Sequence, residues 1–504
     1  MLARLASASI RGLEAEAVDV EVDLSRGMPS WSLVGLPDGA VREARDRVRA
    51  ALLNSNFEFP LRHITVNLAP ADKRKDGSHF DLPVAVGLLL ASGQIHVKNQ
   101  SDIPFLVAEL ALDGRLNPVS GILPRTLFAK SQGLKQIIVP LSNAEEAVVV
   151  QGIEVIAASS LLEVAAHLQG KRLLMPFAAS ETSAQSEEHL LDLKDVRGQQ
   201  QARRALEIAA AGGHHLLMSG PPGSDKSMLA SRLPSIMPPL TDEQRLAVAR
   251  VYSIAGEANT RSPMSSIPPF RAPHNSASDV AMIGGGQIPK PGEVTKSLHG
   301  CLFLDELPEF KRPVLEVLRQ PLESGTVSIA RAADTLTFPA EFQLIGAMNP
   351  CPCGYLGHPS KPCRCPQTQV SRYVGRISGP LLDRFDIRIH VPPVEHEDLT
   401  KMQAGEPSAV VKKRVLKARD IQYARQGEGI VNARLLPTVL EQYAKPDAEG
   451  EALLNTALKR FGLSARSYHR ILKVARTISD LAGEAEVSSA HIAEALQYRG
   501  DGES

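Results

Sequence analysis

The sequence predicts an α/β protein in which a central domain with a parallel β-sheet follows an α+β domain and precedes a helical domain. Three observations support this prediction. Short β-branched runs alternate with helical runs in the first part of the chain. The apolar run HHLLMSG, at 214–220, leads directly into a glycine-containing loop and a helical pattern. From about residue 396 onward the hydrophobic period is mostly helical.

The N-terminal elements are predicted from period and composition. The strands are VEVDL (20–24), ITVNLAP (64–70) and QIIVP (136–140), and DGAVREARDRVRAALLNS (38–55) is a helix. In the central domain ARRALEIAAAGG (202–213) is a helix ended by glycines, and the strands after HHLLMSG are CLFLDE (301–306) and FQLIGAMN (342–349). The C-terminal helices include SYHRILKVARTISDLAG (467–483) and SSAHIAEALQYR (488–499).

A change of composition divides the chain. The stretch PFAASETSAQSEEHL, near residues 176–190, is rich in small polar and acidic residues and has the composition of a linker. A chain of 504 residues is also too long for one ordinary core. We therefore place an N-terminal domain at 1–175, the linker at 176–190, the core at 191–395 and a helical lid domain at 396–504.

Charge and cysteine usage narrow the class of protein. Lys plus Arg and Asp plus Glu both number 56, so only local basic patches favour a polyanionic partner. No run of about 18 apolar residues predicts a membrane span, and the N-terminus lacks the apolar segment of a signal peptide. Four of the five cysteines lie within CPCGYLGHPSKPCRC, which is a metal-site distribution. We expect a cytoplasmic protein without a membrane segment.

The stretch GPPGSDKS, at 220–227, nearly matches the phosphate-binding pattern GxxxxGK[ST]. Lys226 would contact the β- and γ-phosphates of ATP, and the Ser227 hydroxyl would bind Mg²⁺. Asp225 stands where the pattern has glycine, and its carboxylate adds a Cβ and a negative charge beside the triphosphate. The alternative is an ordinary glycine turn. The residues predicted to surround the phosphates are Gly220, Pro221, Pro222, Gly223, Ser224 and Asp225.

Later polar residues favour the nucleotide site over a glycine turn. Asp305 and Glu306 end an apolar strand, where one carboxylate can hold Mg²⁺ and the next can polarise the attacking water. Asn349 ends another apolar strand and can orient water or contact the γ-phosphate. Arg384 is a candidate finger for a neighbouring subunit's γ-phosphate, and Arg466 begins a lid helix near the nucleotide. Each residue alone has an ordinary structural explanation, but their order along the chain favours the site.

Several longer segments resemble one family. DVRGQQQARRALEIAAAGGHHLLMSGPPG, FRAPHNSASDVAMIGGG, GCLFLDELPEF, MNPCPCGY and LSARSYHRILKVARTISDL together resemble the magnesium-chelatase-like branch of the AAA+ ATPases, specifically the YifB/ComM competence-protein family. The resemblance extends from residue 1 to about 500. It implies a ring-forming, hexameric ATPase that uses ATP and Mg²⁺ and acts as a DNA helicase, driving branch migration of recombination intermediates during natural transformation.

Two departures and two alternatives accompany this resemblance. The family has glycine at the position of Asp225 and a second histidine at the position of Asn275. One alternative is a motor subunit for metal insertion into tetrapyrroles, to which the core is also similar. The other is a nucleotide-binding scaffold that assembles rings while Asp225 impairs hydrolysis.

The N-terminal domain resembles the proteolytic domain of Lon-type proteases through KDGSHFDLPVAVGLLLASG (75–93) and LDGRLNPVSGILPRTLFAKSQGLKQIIVP (112–140). Those proteases need a serine nucleophile and a lysine base within hydrogen-bond reach. In the matching segments these places fall near His79 and Leu123, and Ser78 and Lys130 would each need a shift of register. The resemblance therefore implies a Lon-protease-like domain without the catalytic dyad.

Two basic groups and one insert are candidate DNA contacts. The first group is a helix face balanced by nearby acids, the second is a basic loop, and the insert at 270–300 corresponds to segments that line a central channel in the resembling ATPases. An ordinary solvated face and a surface loop are the alternatives. The residues are Arg42, Arg45, Arg47 and Arg49 on the helix, Lys73, Arg74 and Lys75 in the loop, and Lys290, Lys296 and Arg331 at the channel.

The cysteines form two CxC pairs with nine residues between them. Four thiolates at this spacing can surround one tetrahedral Zn²⁺, which would order an excursion too small for a hydrophobic core. A reduced, metal-free hairpin is the alternative, and His358 is a possible substitute ligand. The predicted ligands are Cys351, Cys353, Cys363 and Cys365.

Overall fold

A computed structural model describes residues 2–99, 103–178, 190–286, 289–330, 335–393, 404–461 and 464–499. The N-terminal strands are β1 (Leu2–Arg11), β2 (Glu14–Ser25), β3 (Ser30–Val34), β4 (His63–Ala69), β5 (Phe105–Leu106), β6 (Glu109–Leu110), β7 (Leu116–Asn117), β8 (Gln136–Pro140) and β9 (Glu154–Ala158). The helices are α1 (Gly39–Arg42), α2 (Ala44–Asn54), α3 (Asp81–Ala91), α4 (Ile122–Ser131), α5 (Ala144–Ala147) and α6 (Leu161–Leu168).

The N-terminal domain packs a buried helix on a mixed sheet. The sheet has the order β1-β2-β4-β3, and a smaller parallel sheet has the order β5-β8-β9. Every residue of α3 is buried, because its apolar sequence lies between β1, β2 and the second sheet. At Gly87 an added Cβ would come within 2.6 Å of the Val22 side chain. The glycine therefore permits the close helix-to-sheet distance.

The core elements start with α7 (Gln200–Gly212), β10 (Leu216–Ser219), α8 (Lys226–Ala230), α9 (Leu233–Ile236), α10 (Asp242–Ala255), β11 (Phe270–Arg271), α11 (Asp279–Ile283), β12 (Gly284–Gly285), β13 (Lys290–Pro291) and α12 (Glu293–Lys296). They continue with β14 (Cys301–Leu304), α13 (Arg312–Glu316), α14 (Arg319–Ser324), β15 (Thr326–Ala330), β16 (Thr335–Pro339), β17 (Gln343–Met348), α15 (Gln367–Val374), α16 (Gly379–Leu382) and β18 (Ile387–His390).

The core is a five-stranded parallel sheet with the order β11-β14-β17-β10-β18. All residues of β14 and β17 are buried, as expected for strands covered on both faces. The carboxyl ends of the strands share one edge, so the segments that follow β10, β14 and β17 meet there. Two antiparallel hairpins, β12-β13 and β15-β16, extend from this core.

The C-terminal domain is helical, with α17 (Ser408–Gln426), α18 (Pro437–Tyr443), α19 (Ala448–Phe461), α20 (Ala465–Ala482) and α21 (Ser489–Gln497). Its helices share a hydrophobic cluster with α7 and the core strands. A buried hydrogen bond of 2.8 Å between His214 Nε2 and Thr477 Oγ1 joins the two domains. No helix of the described residues is long and apolar enough to cross a membrane.

The N-terminal domain contacts the core through α10. The Gly121 N–H donates to the Ser253 carbonyl at 2.9 Å, and the Leu123 N–H donates to the Ser253 hydroxyl at 3.3 Å. Ala249 of α10 belongs to the same hydrophobic cluster as Ile122 and Leu123. The two domains therefore meet through buried contacts of α4 with α10. Most of residues 176–190 lie outside the described residues.

The predicted fold class is confirmed by the mixed α/β architecture, the parallel sheet and the helical C-terminal region. The predicted strand QIIVP has the bounds of β8. The helix predicted at 38–55 is instead two helices, α1 and α2, interrupted at Glu43. The Asp38 side chain caps α1 by accepting from the Val41 N–H at 2.8 Å.

Candidate functional site

The phosphate-binding loop lies between β10 and α8. A Cβ at Gly220 would lie 2.2 Å from the Val391 carbonyl oxygen, so the back of the loop needs glycine. Gly223 has a φ of +77°, and a Cβ there would meet no atom within 4 Å, so the front of the loop faces open space. Asp225 is the N-cap of α8 with φ 57° and ψ 23°, in the left-handed region, and its side chain caps no N–H. The aspartate thus keeps a backbone conformation that favours glycine.

Lys226 folds onto its own loop. Its ammonium donates to the carbonyls of Gly220 at 2.8 Å and Pro221 at 2.9 Å and to the Ser224 hydroxyl at 3.0 Å. Burial lowers the pKa of Lys226, while the charges of Asp305 and Asp225 act in the opposite direction. The loop oxygens therefore accept the same N–H groups of Lys226 that phosphate oxygens would accept.

The acids of the next strand reach the loop. The Ser227 hydroxyl donates to Asp305 Oδ2 at 2.5 Å, which brings together the two residues predicted to bind Mg²⁺. Glu306 has a φ of 51°, and its N–H donates to Asp305 Oδ1 at 2.8 Å. Asn275 Nδ2 donates to Glu306 Oε2 at 2.9 Å. A residue noted only as a departure from the family therefore contacts the candidate catalytic carboxylate.

Asn349 lies between the loop and the acids, because β17 is between β10 and β14 in the sheet. Burial, together with the charges of Glu309 and Glu306, raises the pKa of Tyr373 to about 12. A hydrogen bond with the backbone of Asn349 acts in the opposite direction. Gly354 also packs here, since a Cβ would come within 2.5 Å of Pro222 and 3.8 Å of the Asn349 amide carbon. The cysteine segment thus abuts the phosphate-binding loop.

Arg384 and Arg466 lie away from the loop of their own chain. Arg384 precedes β18 and is therefore at the amino edge of the parallel sheet, about 13 Å of strand from the carboxyl edge. It pairs with Glu323 and lines a cavity of about 600 Å³. Burial lowers the Arg384 pKa, as do the charges of Arg470 and Arg466. Arg466 is thus close enough to Arg384 for the two charges to interact.

The residues at the carboxyl edge fit a nucleotide with Mg²⁺. Ser227 and Asp305 offer a hydroxyl and a carboxylate to a hard cation, and Lys226 offers an ammonium to phosphate oxygens. The open space in front of Gly223 gives the phosphates room. The chemistry of this donor set matches the predicted cofactors, ATP and Mg²⁺.

The four cysteines form a compact cluster. The Sγ atoms of Cys351, Cys353 and Cys363 are 3.4 to 3.6 Å apart, and all four ligand atoms, including that of Cys365, lie within 4.8 Å of one another. A tetrahedral Zn²⁺ with Zn–S bonds of about 2.3 Å gives S···S distances of about 3.8 Å. Disulfide sulfurs would be about 2.05 Å apart, so this geometry fits Zn²⁺.

Two features refine the cysteine site. Hydrogen bonds from the backbone of Tyr355 and Arg364 lower the pKa of the Cys353 thiol to about 6. The candidate substitute ligand His358 stays outside the cluster, because its Nδ1 accepts from the Ser360 N–H at 3.1 Å. The candidate ligand set therefore consists of the four thiols, without histidine.

The Lon-like positions carry no dyad. His79 is buried, and its Nε2 donates to the Ala8 carbonyl at 3.0 Å. The Ser78 hydroxyl donates to Glu109, while Lys130 is exposed near the end of α4. His79 and Leu123 therefore stand at the places of the nucleophile and the base, and neither can fill that role.

The prediction of a DNA contact is wrong for Lys75, Arg47 and Lys296, because the charge of each is engaged within the protein. Lys75 is buried, and its ammonium donates to the Lys73 and Pro70 carbonyls. Arg47 pairs with Asp81 at 2.7 Å. The other ion pairs are Lys73–Glu16 at 2.8 Å, Arg74–Asp76 at 3.3 Å, and Lys296 with Glu257 at 2.5 Å and Glu293 at 3.3 Å. Lys296 is mostly buried between Glu257 and Glu293. Its charge therefore stabilises the insert and is not free to contact DNA.

The remaining candidates stay predictions. Arg42, Arg45 and Arg49 are exposed on the first helices, and Lys290 is exposed in the β12-β13 hairpin. Arg331 lies outside the described residues. Sequence reasoning assigned no role to Asn275 or Tyr373, since neither belongs to a spacing pattern. Asn275 follows β11 closely, and β11 pairs with β14, so its position is the one feature that could have indicated a contact with Glu306.

Comparison with known proteins covers the whole chain. The sequence profile of the magnesium chelatase subunit ChlI matches residues 192–399, a second ChlI profile matches 20–143, and the ChlI C-terminal profile matches 405–499. The competence protein ComM of Haemophilus influenzae is 48% identical over 505 residues, covering 99% of this chain and 97% of that protein. The protein YifB of Escherichia coli is 44% identical over 490 residues, covering 97% and 95%.

Two partial similarities concern single regions. Lon protease 2 of Bacillus subtilis is 32% identical over 91 residues, which are 18% of this chain and 16% of that protein. The Holliday junction branch migration complex subunit RuvB of Acidothermus cellulolyticus is 23% identical over 318 residues, covering 59% and 71%.

Proposed function

The chain belongs to the YifB/ComM family of magnesium-chelatase-like AAA+ proteins. On this basis we propose that it forms a hexameric ring and acts as an ATP-driven motor that moves branched or single-stranded DNA. The finer role is branch migration that supports recombination in natural transformation. The names of two similar proteins, a competence protein and a branch migration subunit, support this role. Cysteines grouped at a metal-type site support a cytoplasmic location.

One observation carries the ATPase part of the proposal. Lys226, Ser227, Asp305, Glu306 and Asn349 meet at the carboxyl edge of the sheet. In this arrangement Lys226 would bind phosphate, Ser227 and Asp305 would hold the Mg²⁺ that neutralises phosphate charge, and Glu306 would orient water and accept its proton. Asn349 contacts the γ-phosphate or the water.

The position of the arginines supports the oligomer. Arg384 is at the amino edge of the sheet, away from the loop of its own chain, and Arg466 is close enough to interact with it. A second copy that places this edge against the loop would complete the site, and the two arginines would then stabilise the charge of the transferred phosphoryl group. The proposed active site is therefore shared between subunits.

The test uses purified protein and a synthetic four-way DNA junction. We expect DNA-stimulated ATP hydrolysis and branch migration by the natural chain, and loss of both in Lys226→Ala and Glu306→Gln. Glu306→Gln should still bind ATP, which controls for folding. Arg384→Ala should lose hydrolysis and regain part of it when mixed with Glu306→Gln, because each variant supplies the group that the other lacks. Absence of ATP hydrolysis in the natural chain would contradict the motor.

The second candidate is a nucleotide-binding scaffold with impaired hydrolysis, favoured by the carboxylate of Asp225 in the loop. It predicts nucleotide-dependent ring assembly with hydrolysis that appears only in Asp225→Gly. A metal-chelatase motor would instead require metal-insertion partners. The match to ComM over 99% of the chain, including the Lon-like domain, favours the DNA motor over the chelatase.

A further inference from the structure

A cavity of about 510 Å³ opens between the segment that follows Glu306 and the end of α15. Four cationic side chains and one carboxylate line it, and we call it the basic cavity. Its charged residues are Lys311, Arg312, Arg372, Arg376 and Glu309. All four cationic residues are exposed.

Two of the four cations in the basic cavity have a carboxylate nearby, Glu309 beside Arg376 and Glu316 close enough to interact with Arg312. Arg376 pairs with Glu309 at 2.8 Å, and both side chains are about half exposed. Within the described parts of the chain, neither Lys311 nor Arg372 has a carboxylate within 4.0 Å. Arg372 and Arg376 are also four residues apart on neighbouring turns, where like charges destabilise each other. An anion in the cavity would relieve this repulsion.

The same helix reaches the candidate ATPase site. Tyr373, between the two arginines, is 6% exposed and packs on the inner side of α15. It hydrogen-bonds the backbone of Asn349, and the charges of Glu309 and Glu306 act on its hydroxyl. An anion bound on the outer side of α15 would therefore be separated from Asn349 by the thickness of one helix.

We propose that the basic cavity binds the phosphate backbone of single-stranded DNA and that α15 links this binding to the ATPase site. The link rests on the proposed function, whereas the binding does not. Four cations on two separate segments match a chain of phosphates better than one small anion. Lys361 and Arg364 are also exposed, in the cysteine segment before α15. Contacts to phosphates carry no sequence preference.

The test measures binding of fluorescein-labelled oligothymidylate to the full chain by anisotropy at several salt concentrations. The double variant Lys311→Ala with Arg372→Ala should bind more weakly, and the slope of log affinity against log salt should fall by about 1.4, at about 0.7 per lost phosphate contact. The charge-conserving double variant Lys311→Arg with Arg372→Lys should keep the slope. Retention of nucleotide binding shows that the variants are folded.

The matched control removes two lysines four residues apart on an exposed face of α17. Lys413→Ala with Lys417→Ala changes the net charge equally, so its affinity and slope should equal those of the natural chain. Equal loss in the control and the cavity variant would overturn the proposal. An unchanged slope in the cavity variant would also overturn it. If the cavity variant fails to oligomerise with nucleotide, the cavity contacts a neighbouring subunit, and the proposal is overturned as well.

The outcome is separable from that of the proposed function. If the natural chain binds DNA through the cavity but never hydrolyses ATP, the motor fails and the DNA site stands. If ATP is hydrolysed and the cavity variant binds DNA normally, the motor stands and the DNA site fails. If binding weakens without any loss of DNA stimulation of hydrolysis, the link through α15 is refuted.

Discussion

Replacement of Asp225 tests the phosphate-binding loop most directly. Two unit charges 4 Å apart repel by about 4 kcal/mol at an effective dielectric of 20 and by about 1 kcal/mol in water. Asp225 is only partly exposed, so we expect a penalty for the triphosphate of about 1 to 2 kcal/mol. Asp225→Gly should then bind ATP about 5- to 30-fold more tightly.

The backbone conformation affects stability more than affinity. Glycine at a φ of 57° removes a strain of about 1 kcal/mol but loses about 0.5 to 1 kcal/mol through chain entropy. These effects apply with and without nucleotide if the loop keeps its shape. We therefore expect a small change in the thermal midpoint together with a large change in affinity.

The assay is titration with a fluorescent ATP analogue, with Asp225→Asn as the matched control. Asparagine keeps the Cβ and tolerates the left-handed region but removes the charge. If charge is the cause, both variants gain equally, and the gain shrinks at 1 M salt, where the Debye length falls to about 3 Å. A gain in the glycine variant alone would identify the Cβ as the cause. Affinities of both variants equal to that of the natural chain would refute the reasoning.

Three further predictions concern other parts of the chain. Burial lowers the pKa of His215 to about 4, so its neutral form stabilises the fold above pH 6.5, and about 3 kcal/mol of unfolding free energy is lost as the pH falls from 6.5 to 4. His215→Gln should flatten that slope in urea titrations. Cys363→Ser should abolish equimolar zinc in elemental analysis, whereas Cys301→Ala, at a buried strand thiol, should retain it. Asn275→Asp places a carboxylate beside Glu306 and should move the acid limb of the hydrolysis pH profile upward by about one unit or more, whereas Asn275→His should not.

The elements that carry strong patterns were predictable. The buried runs CLFL and QLIGAM form β14 and β17 because apolar strands bounded by polar residues suit a covered parallel sheet. Their polar ends, at Asp305 and Asn349, then meet because parallel neighbours end at one edge. The cysteine spacing also placed four thiols together.

Other features depend on contacts between distant segments. Lys75 and Lys296 are cations of the kind that contact DNA, but the folded loop buries Lys75 against the Lys73 carbonyl, and Lys296 pairs with Glu257, which is distant in sequence. The contact of Asn275 with Glu306 depends on the pairing of β11 with β14, which no local period predicts. Sequence patterns give elements and their ends, whereas side-chain partners follow from the tertiary fold.

The junction at α10 has a consequence for how the protein unfolds. Ser253 and Ala249 join a core helix to the apolar interior of the Lon-like domain, so the covalent connection at 176–190 is not what keeps the domains together. Separating them would expose apolar surface and leave the Gly121 N–H without its acceptor. We therefore expect the two domains to melt in one cooperative transition, and a chain nicked between them to remain a single particle.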